Sequence, residues 1–434
     1  MGDRLRFFLN RISERLWVRP LIMCVVSIVA AFLAQAADHT TIDRYVPQIT
    51  EASIDSLLTI ISASMLVIAT FSLASMVSAY ASASSTATPR SFSLVIADDV
   101  SQNALSTFIG AFIFSIVALI ALQNGYYGKG ARFTLFVLTL TVFAVVIITF
   151  VRWGDRIARL GRLGSTIDKV ETATARALEH RRCAPTLRGV AITAAAPAGP
   201  AVASKTVGYV QRVDVGRLHA MADRWQTRIR VEALPGTFCD PGRPLASVLT
   251  RPAADGEIDV TSLADAFVIG GDRIFDEDPR FGLIVLSEIA SRALSPAIND
   301  PGTAIDITGT LVRLFALWNT RTDARETGAP EYDRVEVPEV SVDDMFDDAF
   351  TAIGRDGAGT IEVAGRLQKA LESLASLGEP AMRQAALRHA RMARARAERA
   401  MDLPDDIELV QRLAAFAGAA PAPPTVSSQP SAGS

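Results

Sequence analysis

From Ser56 to Pro89 the chain reads SLLTIISASMLVIATFSLASMVSAYASASSTATP, with no charged side chain. As one helix rising ~1.5 Å per residue it reaches roughly 50 Å, whereas the hydrocarbon core of a bilayer is ~30 Å thick. The stretch therefore reads as a membrane span whose far end leaves the bilayer. Its first half is Leu, Ile, Met and Val. Its second half is rich in Ser, Ala and Thr and stops at Thr88-Pro89-Arg90, because the residue before a proline is pushed out of the helical region.

Three further uncharged or nearly uncharged runs flank it, at Pro20 to Ala37, about Ala104 to Gln123 and Phe133 to Val151. Asp38, Asp43, Glu51 and Asp55 against a single Arg44 mark the first loop as outside, while Arg152, Arg156, Arg159, Arg162 and Lys169 follow the last span. By the positive-inside rule this is a multi-pass membrane protein with both termini cytoplasmic. Met1 to Trp17 places Leu5, Phe8, Ile12 and Leu16 among Arg4, Arg6, Arg11 and Arg15, a helix pattern suited to an anionic lipid surface. Ala34-Gln35-Ala36 looks like a signal-peptidase site. The run before it is longer than the ~7 to 15 residues of a signal h-region, so an uncleaved anchor is expected.

Half of the 434 residues are apolar, enough for a membrane domain plus one or two soluble domains. A net charge of −3 gives no reason to expect nucleic acid, and Cys24, Cys183 and Cys239 are too few and too scattered for a zinc motif or a disulfide framework. They read as unpaired thiols in a reducing compartment. The expected layout is a basic lead-in at 1–19, a four-span helical membrane domain at 20–151 and a juxtamembrane helix with a linker at 152–204. A cytosolic α+β domain with a small β-rich module follows at 205–320, then a linker at 321–340, a C-terminal helical region at 341–418 and a disordered tail at 419–434.

Within the cytosolic part the apolar period changes to two at Val207, Tyr209 and Val213 and again at Ile229, Val231 and Ala233, with a helix over Val215 to Trp225 between these strands. Gly236 to Leu245 has a G-x-F-x-x-x-G-x-P-L spacing that looks like the hairpin of lipoyl and biotinyl-carrier domains. Carrier chemistry needs a lysine at the tip, and Lys205 lies outside the motif, so the stretch reads as structural. Ile258 to Val260 and Phe267 to Ile269 are further strand candidates. Asp278-Pro279 and Asp300-Pro301 are built as helix starts, with Asp at the N-cap and Pro at the first helical position. They predict helices at about 279–294 and 301–318, with Ser295-Pro296 ending the first and Ala297-Ile298-Asn299 connecting them. Ser341 with Asp344 opens a series of helices at about 342–353, 359–377, 380–401 and 404–416. The basic run Arg383 to Arg399 reads as a solvated or membrane-facing surface.

Several of these pieces together resemble the bacterial family catalogued as domain of unknown function 2254, described as membrane proteins. They are the Ser/Ala-rich second span with Thr88-Pro89-Arg90, Asp98-Asp99 with Phe108-Ile109-Gly110-Ala111-Phe112, Tyr209-Val210-Gln211 with Asp214, and the Gly236 to Leu245 segment. Above all there is Ala293-Leu294-Ser295-Pro296-Ala297-Ile298-Asn299-Asp300-Pro301-Gly302-Thr303-Ala304. The resemblance covers most of residues 15 to 400. It departs at Arg273 to Asp278, where Ile274 and Glu277-Asp278 stand in place of a Thr and a Gln-Asp pair. It implies a domain layout and no activity.

Asp272, Asp276, Glu277 and Asp278 lie close in sequence, and Glu288, Asn299, Asp300 and Asp306 are candidates to fold near them. Clustered carboxylates can hold a hard cation. Asp276, Asp278 and Asp300 are the weak metal candidates, set against the capping role that Asp278 and Asp300 already have. No hydrolase, zincin, P-loop or dinucleotide motif is present, so no enzyme and no cofactor is expected. No ionisable residue stands at mid-span depth, which weakens ion-coupled transport. Ser64, Ser72, Ser75 and Ser78, interspersed with Ala74 and Ala79, suit close helix packing or a hydroxyl-lined path. Two functional readings result. In one, a homo-oligomer forms a passive ion or small-solute conduit gated by the cytosolic domain. In the other, the bilayer part only anchors a cytosolic sensor or scaffold for an unknown small ligand or protein.

Overall fold

The computed structural model describes residues 17–35, 47–86, 88–91, 94, 99–157, 162–192, 199–249, 259–320, 330–377 and 379–418. The amphipathic reading of Met1 to Trp17 falls almost wholly outside these residues, as do most of the acidic first loop and the tail from 419. The chain divides into two compact units, Met1–Lys169 and Val170–Ser434.

Among the described residues the first unit holds four helices long and apolar enough to cross a membrane: α1 (Val18–Gln35), α2 (Glu51–Thr86), α3 (Asp99–Gln123) and α4 (Lys129–Ile157). At 36 residues α2 rises roughly 54 Å, and it ends two residues before Thr88-Pro89 as the sequence predicts. Central in this bundle is α3, which packs against α1, α2 and α4. It can approach α1 closely because a Cβ on Gly110 would stand only 3.2 Å from Met23 and Ser27. Phe108 and Phe114 of α3 are fully buried, while Phe32, Val67, Phe71, Ile148 and Val151 of the surrounding helices point outward and exposed. That much uncovered apolar surface is stable against hydrocarbon and costly against water.

In the second unit α5 (Leu163–Cys183) continues from the preceding residues, and the boundary between units falls inside it. A five-stranded sheet follows, built from β1 (Gly189–Val190), β2 (Ala201–Ala203), β4 (Ile229–Val231), β6 (Pro244–Val248) and β8 (Tyr332–Glu336) in the order β1-β8-β4-β6-β2. At its centre β4 pairs parallel with β8, Ile229 opposite Val335, and antiparallel with β6, Val231 opposite Ala246. A second, antiparallel sheet has β3 (Gly208–Val213) between β5 (Phe238–Cys239) and β7 (Phe267–Gly270). Helix α6 (Val215–Arg224) is capped by Asp214, which accepts from the Arg217 amide at 3.0 Å, and packs against β8.

Six-helix packing completes the unit: α7 (Pro279–Ala293), α8 (Pro301–Trp318), α9 (Val342–Asp356), α10 (Ile361–Ser376), α11 (Pro380–Ala400) and α12 (Pro404–Leu413). Both Asp-Pro starts are as expected. Asp278 caps α7 and Asp300 caps α8, each followed by Pro at the first turn. The C-terminal helices are not a separate layer, since α9 packs on α7 and α10 on α8. Phe315, Phe346 and Phe350 stack at the centre, with ring centroids 4.4 to 5.6 Å apart.

Four expectations need correction. Residues read as linkers include β2 and β8, short strands whose sequences show no apolar–polar alternation, and β8 lies beside the central strand. The Gly236 to Leu245 stretch is not a hairpin: β5 and β6 join different sheets, so the two glycine turns carry the chain from one sheet to the other. Val260 opens a 3₁₀ turn, Val260–Ala266, capped by Asp259, rather than ending a strand. The basic helix α11 turns Ala385, Ala386, His389, Ala390 and Ala393 into the core, and Arg388 pairs with Asp343 and Asp347 of α9.

Candidate functional site

The second unit contains a pocket of about 330 Å³, lined from α5, the β4–β5 and β5–β6 connections, the loop after β7, and the starts of α7 and α9. Four arginines reach it: Arg181, Arg243, Arg273 and Arg280. The β4–β5 connection closes over Asp278 because Gly236 adopts φ +91 and has no side chain. A Cβ there would clash with the Asp278 carboxylate.

Asp278 is only 2% exposed and carries three bonds. Its Oδ1 accepts from the amides of Arg280 at 3.1 Å and Phe281 at 3.2 Å, and its Oδ2 accepts from Arg273 Nε at 2.7 Å. The Arg273 guanidinium also lies over the Phe281 ring, 5.5 Å from its centre. Arg280 spans α7 and α9, donating to Asp344 and Asp348, each at 2.6 Å. Glu232 accepts from Ser247 Oγ at 2.6 Å.

Arg181, near the end of α5, is also 2% exposed. Its Nη2 donates to the Glu277 carbonyl at 3.1 Å, and its Nη1 is buried without a hydrogen-bond partner among the described residues. Burial lowers this guanidinium to about 10, with Glu277 and Asp278 pulling the other way, so it stays charged at neutral pH. Burial pushes the Glu277 carboxyl up to about 7, against the pull of Arg212, 3.3 Å away, and of Arg181. The neutralisation that Glu277 supplies to Arg181 is therefore incomplete near neutral pH.

The expected acidic cluster does not assemble. Asp276 is exposed, Asp278 is buried at the start of α7, and Asp300 stands at its far end, with its amide bonded to the Ala293 carbonyl. The 15 residues of α7 separate the two caps by roughly 22 Å. Among the described residues no three His, Cys, Asp or Glu side chains gather as a metal set. Ser295 and Pro296 with Asn299, which adopts φ +50, turn α7 into α8, so the longest motif shapes a corner. In α2, Ser72 is buried and its hydroxyl has no partner among the described residues, Ser64 is exposed, and Ser75 and Ser78 line an open notch with Ala74, Ala79, Ser82 and Ile157.

Residues 13–373 match a family described as "predicted membrane protein (DUF2254)". The chain belongs to that family. An uncharacterized protein of Mycobacterium bovis and another of Mycobacterium tuberculosis are each 35% identical over 103 residues, 23% of this chain and 20% of theirs. The chain thus covers about a fifth of the length of the curated relatives it matches. No solved structure matches it. The DUF2254 match takes in all four apolar helices and every residue named above in the wall of the pocket.

Sequence reasoning missed Arg181 and Arg280. The Arg181-Arg182 pair looks like ordinary cationic decoration of a helix C-terminus, where the macrodipole favours positive charge. Only burial sets Arg181 apart, and burial here comes from residues nearly a hundred positions away.

Proposed function

We propose that this protein is a membrane-anchored receptor in which the apolar helices hold the chain in the bilayer and the second unit captures a small ligand in its arginine-lined pocket. The basic residues after α4 place that unit on the cytoplasmic side in this reading. The observation that supports it is a cavity within the size range of small-molecule sites, lined by a buried arginine with one donor that has no partner among the described residues. Native mass spectrometry of the full-length protein, purified in mild detergent, should show a small molecule bound to the native chain and lost from Arg181→Met. A chain that carries none, alone or after incubation with a mixture of small polar metabolites, overturns the receptor reading.

A second reading draws on the notch beside Ser75 and Ser78. Small residues there let helices approach closely, so copies of the chain meeting along α2 would form a homo-oligomer with hydroxyls near its axis. Planar-bilayer recording with Ser75→Leu alongside tests whether such an assembly conducts. Silence from folded protein removes the conduit.

A further inference from the structure

The donors in the pocket describe its ligand more narrowly than its volume does. Three guanidinium groups with spare capacity arrive from separate stretches of backbone. Arg181 Nη1, on α5, is buried and has no partner among the described residues. Arg273 spends its Nε on Asp278. Arg243, exposed between β5 and β6, makes a long 3.5 Å contact to the Phe238 carbonyl. Arg280 is already held by two carboxylates.

The carboxylates of the wall are largely committed. Asp278 is held by Arg273 and by the start of α7, and Asp344 by Arg280. Glu232 and Glu339 are exposed. A buried guanidinium is stable only when its charge and its protons are met, and a planar carboxylate is satisfied by a single arginine fork. Donors converging from three directions suit a tetrahedral anion with three terminal oxygens. Resting on the receptor reading, we propose that the pocket binds the phosphate of a small phosphate monoester, with Arg181 as its buried anchor and Arg273 and Arg243 closing on the remaining oxygens. The exposed carboxylates of Glu232 and Glu339 oppose a second negative group, so the rest of the ligand is neutral or cationic. Leu234 and Phe238 give it an apolar wall.

The group can belong to a soluble ester or to a lipid headgroup. Isothermal titration of the full-length protein in neutral detergent, in phosphate-free buffer, uses glycerol 3-phosphate and phosphoethanolamine as soluble probes. Nanodiscs with and without phosphatidic acid supply the lipid probe. The expected result is saturable binding of at least one probe, weakened about tenfold or more by Arg243→Ala, the loss of one hydrogen bond to a charged group, and abolished by Arg181→Met. Arg243 is exposed, so its variant keeps the test decisive if Arg181→Met fails to fold. Binding that neither substitution changes overturns the assignment of the site. Failure of all three probes while native mass spectrometry shows a ligand without phosphorus overturns the ligand class and leaves the receptor reading standing. Failure of all three with no ligand of any kind removes both.

Discussion

Hydroxyl groups along the four apolar helices bond mostly within their own helix, as helical hydroxyls of the second unit also do (Thr174 to Val170, Thr308 to Ala304), but the second unit adds many polar bonds across the chain. Thr70 donates to Leu66, Ser106 to Gln102, Ser115 to Ala111 and Thr139 to Leu135, each to the carbonyl four residues back. In the second unit Arg230 pairs with Glu336 at 2.8 Å, Arg280 with Asp344 and Asp348, and Gln211 reaches the Asp272 carbonyl at 2.8 Å. The difference follows from solvent. Inside a bilayer the preceding turn is the acceptor always at hand, and a group lacking it pays the full cost of desolvation. Where water competes, a polar bond can be spent on joining distant elements. In the first unit such bonds sit near helix ends, as with Arg132 to Glu51 at 2.8 Å and Arg19 to Asn103 at 3.0 Å.

Four measurements would break or sharpen this comparison. The largest effect is expected for Phe346→Ala, which empties the aromatic centre of the second unit and should cost ~3 to 5 kcal/mol in denaturant unfolding followed by tryptophan fluorescence. A loss below ~1 kcal/mol would mean that the cross-chain ion pairs, not this core, hold the helices together.

Next come the two Asp-Pro caps. Asp278→Ala removes a buried ion pair as well as a cap and should cost ~3 kcal/mol. Asp300→Ala, where the carboxylate serves Thr303 at the helix start, should cost ~1 kcal/mol. Equal losses would show that burial adds nothing to the first cap.

The third is a pH dependence. In the folded chain Glu277 holds its proton up to about 7, against an ordinary value of 4.5. The folded state binds the extra proton in that window, so the contribution of this group is full below pH 4.5 and is lost as the pH rises toward 7. Glu277→Gln should abolish the loss, so the variant gains stability over the native chain across that window and holds a constant advantage above it. A difference that does not change with pH would mean that Arg212 keeps the carboxylate ionised throughout.

The smallest effects belong to the first unit. Ser72→Ala removes a hydroxyl with no partner among the described residues, and Thr139→Val removes one bonded only to its own helix, so each should change stability by ~0.5 kcal/mol or less. A loss of ~2 kcal/mol at Ser72 would reveal a partner for its hydroxyl, and with it a polar role for the inner face of α2.

Much of the molecule was legible because its causes are local. Uncharged runs produced four helices at the expected places, and an aspartate before a proline produced two capped starts, since an N-cap needs only the amides of the next turn. Strands β2 and β8 escaped because their sequences, Ala-Val-Ala and Tyr-Asp-Arg-Val-Glu, show no apolar–polar alternation. Their identity comes from partners, β6 for one and β1 and β4 for the other. The glycine turns on either side of β5 were readable, but not that the chain changes sheets at each of them. Of the candidate site, Asp278 was recognised as a cap. Nothing near Arg181 in sequence shows that it meets Glu277 and shares a pocket wall with Gly236 and the start of α9.

The sequence by itself determined the membrane class, the number and approximate places of the apolar helices, the caps and the family, because each depends on hydrophobicity or hydrogen bonds within one or two turns. The tertiary structure alone decided strand order, the fate of the acidic run and the pocket. Those depend on which segments exclude water from one another, and a charged side chain changes its chemistry when water is excluded. On the page of the sequence Arg181 is one of many arginines at helix ends; in the fold it is a buried cation with a donor unmet among the described residues.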